Sequence, residues 1–525
     1  MPDRVIRELG LGSPSPALGH VVTVTGARLT ATIEEAGAGL ALGAIVQLAT
    51  GRSTVFGLVS NIAAGAPHAV AEIEFLGEIA EGTSTFRRGV SRYPTLGQAV
   101  HVASHDDLAL VYARPDRSTI RIGTLFQDPD IPVFARTDEL LGKHCAVLGT
   151  TGSGKSCAVS LILSAILDQH PNGHIVLLDP HSEYAGAFGD KAEILNPDTL
   201  QLPYWLLDFE EARALFTAYA VGAAEAESGI LATAILAAKK KFLGATEAAK
   251  TVTVDTPVPY SLSELIHGID AAMGQLDKPE DSAPYLRLKA RIESLKIDRR
   301  FRFLFPGLVV RDNLAAIVSR IIRVPVDGKP ITVIDLAGIP AEIVDVVVSV
   351  LCRMIFDVAV WSEAPGSLPV LLVCEEAHRY VPARDDLGFG PTKRAIARIA
   401  KEGRKYGVSL LLVSQRPAEL SAEILSQCNT LFALRLGNDR DQELVRRVLP
   451  ESALSLMNAL TAMGGQEAVA VGEGVPVSMR LRFDDVADER RPRSATSRFT
   501  EAWQGAPPAT GVLEKTIERW RHQTR

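Results

Sequence analysis

The chain has 525 residues, 47% of them apolar and 22% charged, and carries a net charge of −7. That length exceeds one compact core and calls for about two to four domains, with the composition of an ordinary globular protein rather than a disordered or fibrous one. The acidic balance excludes a uniformly basic nucleic-acid binder, although a ring or cleft can concentrate Lys and Arg locally while its outside stays acidic.

The opening stretch "MPDRVIRELGLGSPSP" lacks the continuous apolar run of a signal peptide. From about Gly19 to Leu125, short β-branched runs are broken by Gly and Pro: "HVVTVTGARLTATIE", "AIVQLATGRSTVFGLVSNI", "AVAEIEFLGEI", "TIRIGTL". Strands at this spacing predict a small β-barrel or sandwich over residues 1–125. "FQDPDIPVFARTDELLGK" reads as a linker into a new domain.

From His144 the pattern changes. "HCAVLGT" is an apolar strand, followed by a Gly-rich turn, the helix "KSCAVSLILSAILDQH" and a second strand, "HIVLLD". Later strands are "ITVIDL", "PVLLVC", "VSLLLVS", "TLFALRL" and "EAVAVG". Continuous apolar strands alternating with helices predict an α/β core with a mostly parallel sheet, residues 126–184 and 330–484. Residues 185–329 contain the Ala-rich "YAVGAAEAESGILATAILAAKKKFLG" and the basic "RLKARIESLKIDRRFRFLF", and read as an inserted helical subdomain. The most membrane-like run, "EIVDVVVSVLCRMIFDVAVW", is interrupted by Asp345, Arg353 and Asp357 and reads as a buried helix. Residues 485–525 are polar and Pro-rich, with Trp503 and Trp520 to anchor an arm on a neighbour or partner. The five cysteines, Cys145, Cys157, Cys352, Cys374 and Cys428, show no paired metal-ligand spacing. They read as buried free thiols in a reducing cytoplasm, which is the expected location.

"GTTGSGKS" fills every fixed position of G-x-x-x-x-G-K-[ST], between a strand and a helix. It comprises Gly149, Thr150, Thr151, Gly152, Ser153, Gly154, Lys155 and Ser156, with Cys157 next. Glycines let successive N–H groups turn inward around phosphate oxygens, and the helix N-terminus adds partial positive charge. Lys155 would reach the β- and γ-phosphates of ATP and Ser156 would ligate Mg²⁺.

Such a loop needs one carboxylate near the metal and another to orient the attacking water. Three strand ends compete, at Asp179, at Asp335 and at Glu375 with Glu376. Only the last offers two acids in succession, and adjacent side chains in extended chain diverge. Glu375 is assigned to the metal side, through water, and Glu376 to water activation. Asp179 and Glu183 of "DPHSEY" follow the second strand, expected beside the first. There they either form an outer shell that positions water or serve as capping and turn residues. Gln415 of "VSLLLVSQRP" stands where a neutral amide can sense the γ-phosphate. "RIAKEGRKYG" supplies Arg398, Lys401, Arg404 and Lys405 at a helix C-terminus, where the helix dipole favours cations in any case. Arg404 is the leading candidate for an arginine finger into a neighbouring subunit.

"GTTGSGKS", "DPHSEY", "CEEAHRYVP", "EGRKYG" and "SQRPAEL", in this order, resemble the HerA-type ATPases of the HerA–FtsK superfamily, as far as about residue 483. The resemblance implies a RecA-like P-loop core and an N-terminal barrel like that of ATP synthase subunits (a HAS-barrel-like domain). It further implies a homohexameric ring with nucleotide sites between subunits and double-stranded DNA in the central channel. It carries over Lys155 and Ser156 as nucleotide contacts, Glu376 as catalytic glutamate, Gln415 as sensor and Arg404 as finger. Family members often carry Asp where this chain has Glu375. Relatives work with separate effectors, nucleases in DNA-end processing or sirtuin-like NADases and nucleases in anti-phage defence. No effector active site is visible in this chain.

For DNA, the loop "PARDDLGFGPTKRAIAR" offers Lys393 and Arg394. The cluster Arg287, Lys289, Arg291, Lys296, Arg299 and Arg300 has the spacing of a solvated helix face instead. Two functions follow, a hexameric motor on duplex DNA or a nucleotide-regulated scaffold that controls an effector. A protein-remodelling ATPase would account for the phosphate loop alone.

Overall fold

The computed structural model of the protein describes residues 16–34, 40–65, 68–217, 224–276, 282–305, 310–339, 341–384, 386–449, 453–493, 499–505 and 511–522. Residues 1–15, where the signal-peptide reading falls, lie outside them, as do parts of the insertion and of the carboxy-terminal arm.

Seven antiparallel strands make the first layer: β1 (Gly19–Val24), β2 (Arg28–Ile33), β3 (Ile45–Ala49), β4 (Ser53–Ala63), β5 (Ala69–Ala80), β6 (Phe86–Arg88) and β7 (Ala99–Val102). Alternation sets the inner face. In β2, Leu29, Ala31 and Ile33 are buried while Arg28, Thr30 and Thr32 turn outward. The order β2-β1-β7-β3-β4-β5 closes because β5 also pairs with β2, and β6 hangs outside on β5. Closure removes the free edges that would otherwise invite aggregation. Gly19 permits it locally, since a Cβ there would stand 1.6 Å from the Thr32 carbonyl oxygen.

The second layer is an eleven-stranded sheet. Its strands are β8 (Thr119–Leu125), β9 (Pro132–Arg136), β10 (Cys145–Leu148), β11 (Ile175–Asp179), β12 (Ala192–Leu195), β13 (Ile331–Asp335), β14 (Val370–Cys374), β15 (Val408–Ser414), β16 (Thr430–Leu434), β17 (Glu467–Gly472) and β18 (Met479–Phe483). The order is β12-β13-β11-β14-β15-β10-β16-β17-β18-β8-β9, parallel from β12 to β16 and antiparallel beyond. The main helices are α1 (Lys155–Gln169), α2 (Phe209–Phe216), α3 (Ala224–Leu243), α4 (Leu262–Met273), α5 (Ala283–Ile297), α6 (Ala341–Val360) and α7 (Gly390–Tyr406). Helices α3, α4 and α5 pack on one another within the insertion, and α6 lies along α7. The core runs through the parallel sheet and into the barrel, where Phe56, Leu58 and Ile79 join it.

Four sequence expectations are corrected. "TIRIGTL" is β8 of the core sheet, paired with β18 and β9, not a barrel strand. Its alternation suits either sheet, so pattern alone cannot assign it. The supposed linker contains β9, whose leading Pro132 is tolerated because this is an edge strand. The second core strand, β11, is separated from β10 by β14 and β15, not adjacent to it. The range given to the insertion also contributes β12 to the sheet edge.

Among the described residues no helix is long and apolar enough to cross a membrane. The run containing Arg353 is α6, packed inside the protein. Past β18 the chain crosses α1, where Ser160 Oγ donates to the Arg490 carbonyl at 2.7 Å and Arg490 pairs with Asp168 at 2.8 Å. The last helix, Val512–His522, buries none of its residues and leaves Trp520 79% exposed.

Candidate nucleotide site

Parallel pairing brings three chain reversals to one edge of the sheet. Leu148 is in register with Ser414, and Leu412 with Cys374. The phosphate loop after β10, Gln415 after β15, and Glu375 with Glu376 after β14 therefore emerge side by side.

The loop is braced from behind. Gly149 sits where a Cβ would be 2.7 Å from Ser153 Oγ and 2.8 Å from Leu434 Cβ, and Gly154 adopts φ 100°, in the left-handed region. Thr150 donates its N–H and its hydroxyl to the Arg435 carbonyl at 2.9 and 3.1 Å. Gln466 donates its N–H to the Ser153 carbonyl at 3.1 Å. Lys155 Nζ donates to the Thr150 carbonyl at 3.2 Å. Burial presses its pKa below the ordinary value, against the pull of Glu375, Glu376 and Glu183.

The two glutamates diverge because the backbone turns left-handed at Glu376, φ 53°. A non-glycine residue held there is a local strain of the kind that clusters at functional sites. Glu375 receives the Tyr184 hydroxyl on Oε1 and the Glu376 N–H on Oε2 at 3.2 Å. Burial lifts its carboxyl to about 7; the Tyr184 hydrogen bond and Lys155 oppose the rise, and the Glu376 charge adds to it. Burial also raises Glu376, which Lys155, His181 and a hydrogen bond from Gln415 hold down. Glu376 Oε1 stands 3.7 Å from His181 Nε2. Its Oε2 is buried with no hydrogen-bond partner among the described residues. His378 Nδ1 is 3.2 Å from that oxygen, but its hydrogen bond goes to Ser414 Oγ at 3.1 Å.

Gln415 Oε1 accepts the Thr151 hydroxyl at 2.5 Å, so one amide touches both the loop and Glu376. Ser156 Oγ donates to Glu183 Oε2 at 2.8 Å. Asp179 does different work. Its carboxylate accepts the N–H groups of His181, Glu183 and Tyr184 at 3.3, 3.2 and 2.9 Å, which shapes the turn that delivers Glu183. Asp335 supports the same turn through the Ser182 hydroxyl, at 2.9 Å. Loop residues, Glu183, Glu375, Glu376 and Gln415 thus come together, with Asp179 just behind.

Arg404 does not join them. It lies in the last turn of α7, which returns to the start of β15, so it is exposed at the opposite edge of the sheet. Arg398 pairs with Asp357 at 3.7 Å and lies 4.5 Å from the Phe356 ring centroid; Lys401 pairs with Glu423 at 2.7 Å. Lys393 and Arg394 sit in the first turns of α7, with Arg394 3.6 Å from Glu210. In the other basic cluster, Arg287 pairs with Glu227 at 2.7 Å, Lys289 with Asp270 at 2.8 Å and Arg300 with Asp298 at 2.5 Å.

Tyr184, His181 and His378 escaped the sequence reading. The first two lie inside "DPHSEY", where the acids drew attention away from the aromatic hydroxyl and the imidazole. His378 had no signal beyond its nearness to the acidic pair.

Residues 120–355 match the family model for the central domain of the helicase HerA. The chain is 29% identical to the DNA double-strand break repair helicase HerA of Pyrococcus furiosus, over 82% of this chain and 80% of that one. It is 28% identical to the helicase of the same name from Sulfurisphaera tokodaii, over 79% and 78%. Among solved structures, VirB4 of Thermoanaerobacter pseudethanolicus superposes with a TM-score of 0.51 at 17% identity, covering 72% of this chain and 99% of that one, and so shares the core fold.

Proposed function

Because the chain belongs to the HerA-type P-loop ATPases of the HerA–FtsK superfamily, we propose that it is a motor that couples ATP hydrolysis to movement along double-stranded DNA. The observation that carries this reading is the buried Oε2 of Glu376, without a hydrogen-bond partner among the described residues, in a site where Lys155 and Gln415 act on the same carboxylate. A carboxylate so placed can take the proton of a water whose oxygen attacks the γ-phosphorus as ADP leaves.

The loop N–H groups and Lys155 would hold the phosphates, and Gln415 would fix Glu376 relative to the loop. The oxygens of Ser156, Glu375 and Glu183 suit Mg²⁺, which keeps its waters and binds through one or two carboxylates and substrate phosphates. Bound there, the ion would supply charge neutralisation at the phosphate oxygens. Arg404, remote from its own subunit's loop, suits a finger reaching the site of the next subunit in a homohexameric ring. The DNA double-strand break repair role printed for the relatives supports duplex DNA as the track. A separate nuclease or NADase effector, a cytoplasmic location, and a role in DNA-end processing or anti-phage defence complete the proposal.

The purified chain should hydrolyse ATP faster with duplex DNA, and DNA binding should weaken steeply with salt. In mixed rings, Arg404→Ala subunits should recover activity with Lys155→Ala subunits, because each supplies what the other's site lacks. One observation favours a scaffold instead: Arg394 and Arg398 stand on the helix α7, not in the loop expected to meet DNA, and pair with Glu210 and Asp357. If DNA neither binds nor stimulates while effector assembly requires nucleotide, the scaffold reading replaces the motor.

A further inference from the structure

A glutamate on the metal side of this site is longer by one methylene than an aspartate, and has one more rotor to fix. Left alone in a buried pocket, that rotor costs entropy and the carboxylate loses hydrogen bonds. The structure supplies a restraint that the hydrolysis scheme does not use. The Tyr184 hydroxyl donates to Glu375 Oε1, while the Glu376 N–H takes Oε2 at 3.2 Å. Each oxygen is tethered once and keeps acceptor capacity.

Tyr184 is itself immobile. It is fully buried, its ring stacks on Phe188 at 6.4 Å between centroids, and its N–H is held by Asp179 at 2.9 Å. Ser156, the other group assigned to the metal, donates instead to Glu183 Oε2 at 2.8 Å, on the same turn as the phenol. Burial alone does not produce this arrangement, for the equally buried Tyr380 hydroxyl has no hydrogen-bond partner among the described residues. The three N–H groups gathered by Asp179 gain a purpose as well, since they fix the turn that puts the phenol in place.

We propose that Tyr184 is a positioning residue that lets a glutamate serve on the metal side, by clamping the Glu375 carboxylate beside Ser156. The inference rests on the reading of this site as a Mg²⁺-ATP site. It predicts that Tyr184 and Glu375 are coupled, and that their coupling shows in the metal requirement rather than in nucleotide binding as such.

The test is a double-mutant cycle of Tyr184→Phe and Glu375→Asp on the full chain. Two quantities are read: the Mg²⁺ concentration for half-maximal hydrolysis, and the affinity for a fluorescent ADP in Mg²⁺ and in EDTA. Loss of one hydrogen bond to a charged group should raise the Mg²⁺ requirement of Tyr184→Phe about tenfold. It should weaken ADP binding to the same extent in Mg²⁺ but not in EDTA, and leave kcat at saturating Mg²⁺ within about twofold. In the Glu375→Asp background the shorter acid is out of the hydroxyl's reach, so Tyr184→Phe should add less than about twofold. An unchanged Mg²⁺ requirement in Tyr184→Phe, or an equal penalty in both backgrounds, overturns the proposal. Should Tyr184→Phe alone fail to fold, the double variant decides: it must fold with a Mg²⁺ requirement within about twofold of Glu375→Asp alone, and a tenfold penalty over that variant refutes the clamp. If the wild type binds Mg²⁺-ADP but does not hydrolyse ATP, the hydrolysis reading fails while the ADP arm still judges Tyr184.

Discussion

Two clusters of buried charge face different fates in this molecule. At the phosphate loop, the charges of Glu375, Glu376 and Glu183 act on one buried lysine without forming an ion pair to it among the described residues, and a carboxylate oxygen is left without a hydrogen bond there. Where α2 meets α6, Glu211 accepts Ser349 Oγ at 2.7 Å and the Arg353 guanidinium at 2.8 and 3.2 Å. Arg353 adds the Leu206 carbonyl at 2.6 Å, Asp208 at 3.4 Å and Asp357 at 3.5 Å. Burial alone would lower the Arg353 pKa, yet Glu211 and Asp208 lift it above its ordinary value. The second cluster is closed and joins the insertion to the core. The first is open, and openness is what chemistry requires.

The largest expected effect comes from neutralising the open cluster. Glu376→Gln should lower kcat about 10²–10⁴-fold while ATP binding persists, because only the proton acceptor is lost. Its thermal midpoint should rise, since burial disfavours the charged carboxylate there. Steady-state hydrolysis, nucleotide titration and a melting curve check the three parts; normal turnover would end the assignment of Glu376 as the base.

Neutralising the closed cluster should do the reverse to stability. Arg353→Ala leaves the Glu211 carboxylate buried and unpaired, a defect that costs about 3–5 kcal/mol in denaturant unfolding. Replacing Glu211 and Arg353 together by apolar residues of similar volume should restore most of that loss. Equal instability in single and double variants would break the distinction between the two clusters.

The smallest effect is one of pH, at the foot of the strand that feeds the loop. His144 Nδ1 accepts the Leu410 N–H at 2.9 Å and Nε2 meets the Ala400 carbonyl at 3.1 Å, an arrangement that needs a neutral ring. Burial holds its pKa below the ordinary value of about 6.5. Below that pH the unfolded chain takes up a proton that the native ring refuses, so stability declines as pH falls and is fully present above it. His144→Phe should flatten this part of the melting profile between about pH 7 and 5.

The phosphate loop, the acidic pair and the alternation of apolar strands with helices were legible in the chain because each lies within one short stretch. A P-loop needs consecutive residues, and strand and helix periods repeat over a few positions. The amino acids alone therefore determined an α/β core with a nucleotide site at the ends of its strands. Tertiary structure decided what sequence separation hides. β8 and β9 joined the core sheet because β18 offered them an edge, and two strands came to lie between β10 and β11. Tyr184 reached Glu375 across 191 positions, and Arg353 reached Glu211 across 142. Such partners share no local pattern, only the space into which packing and the hydrogen-bonding demands of buried polar groups brought them.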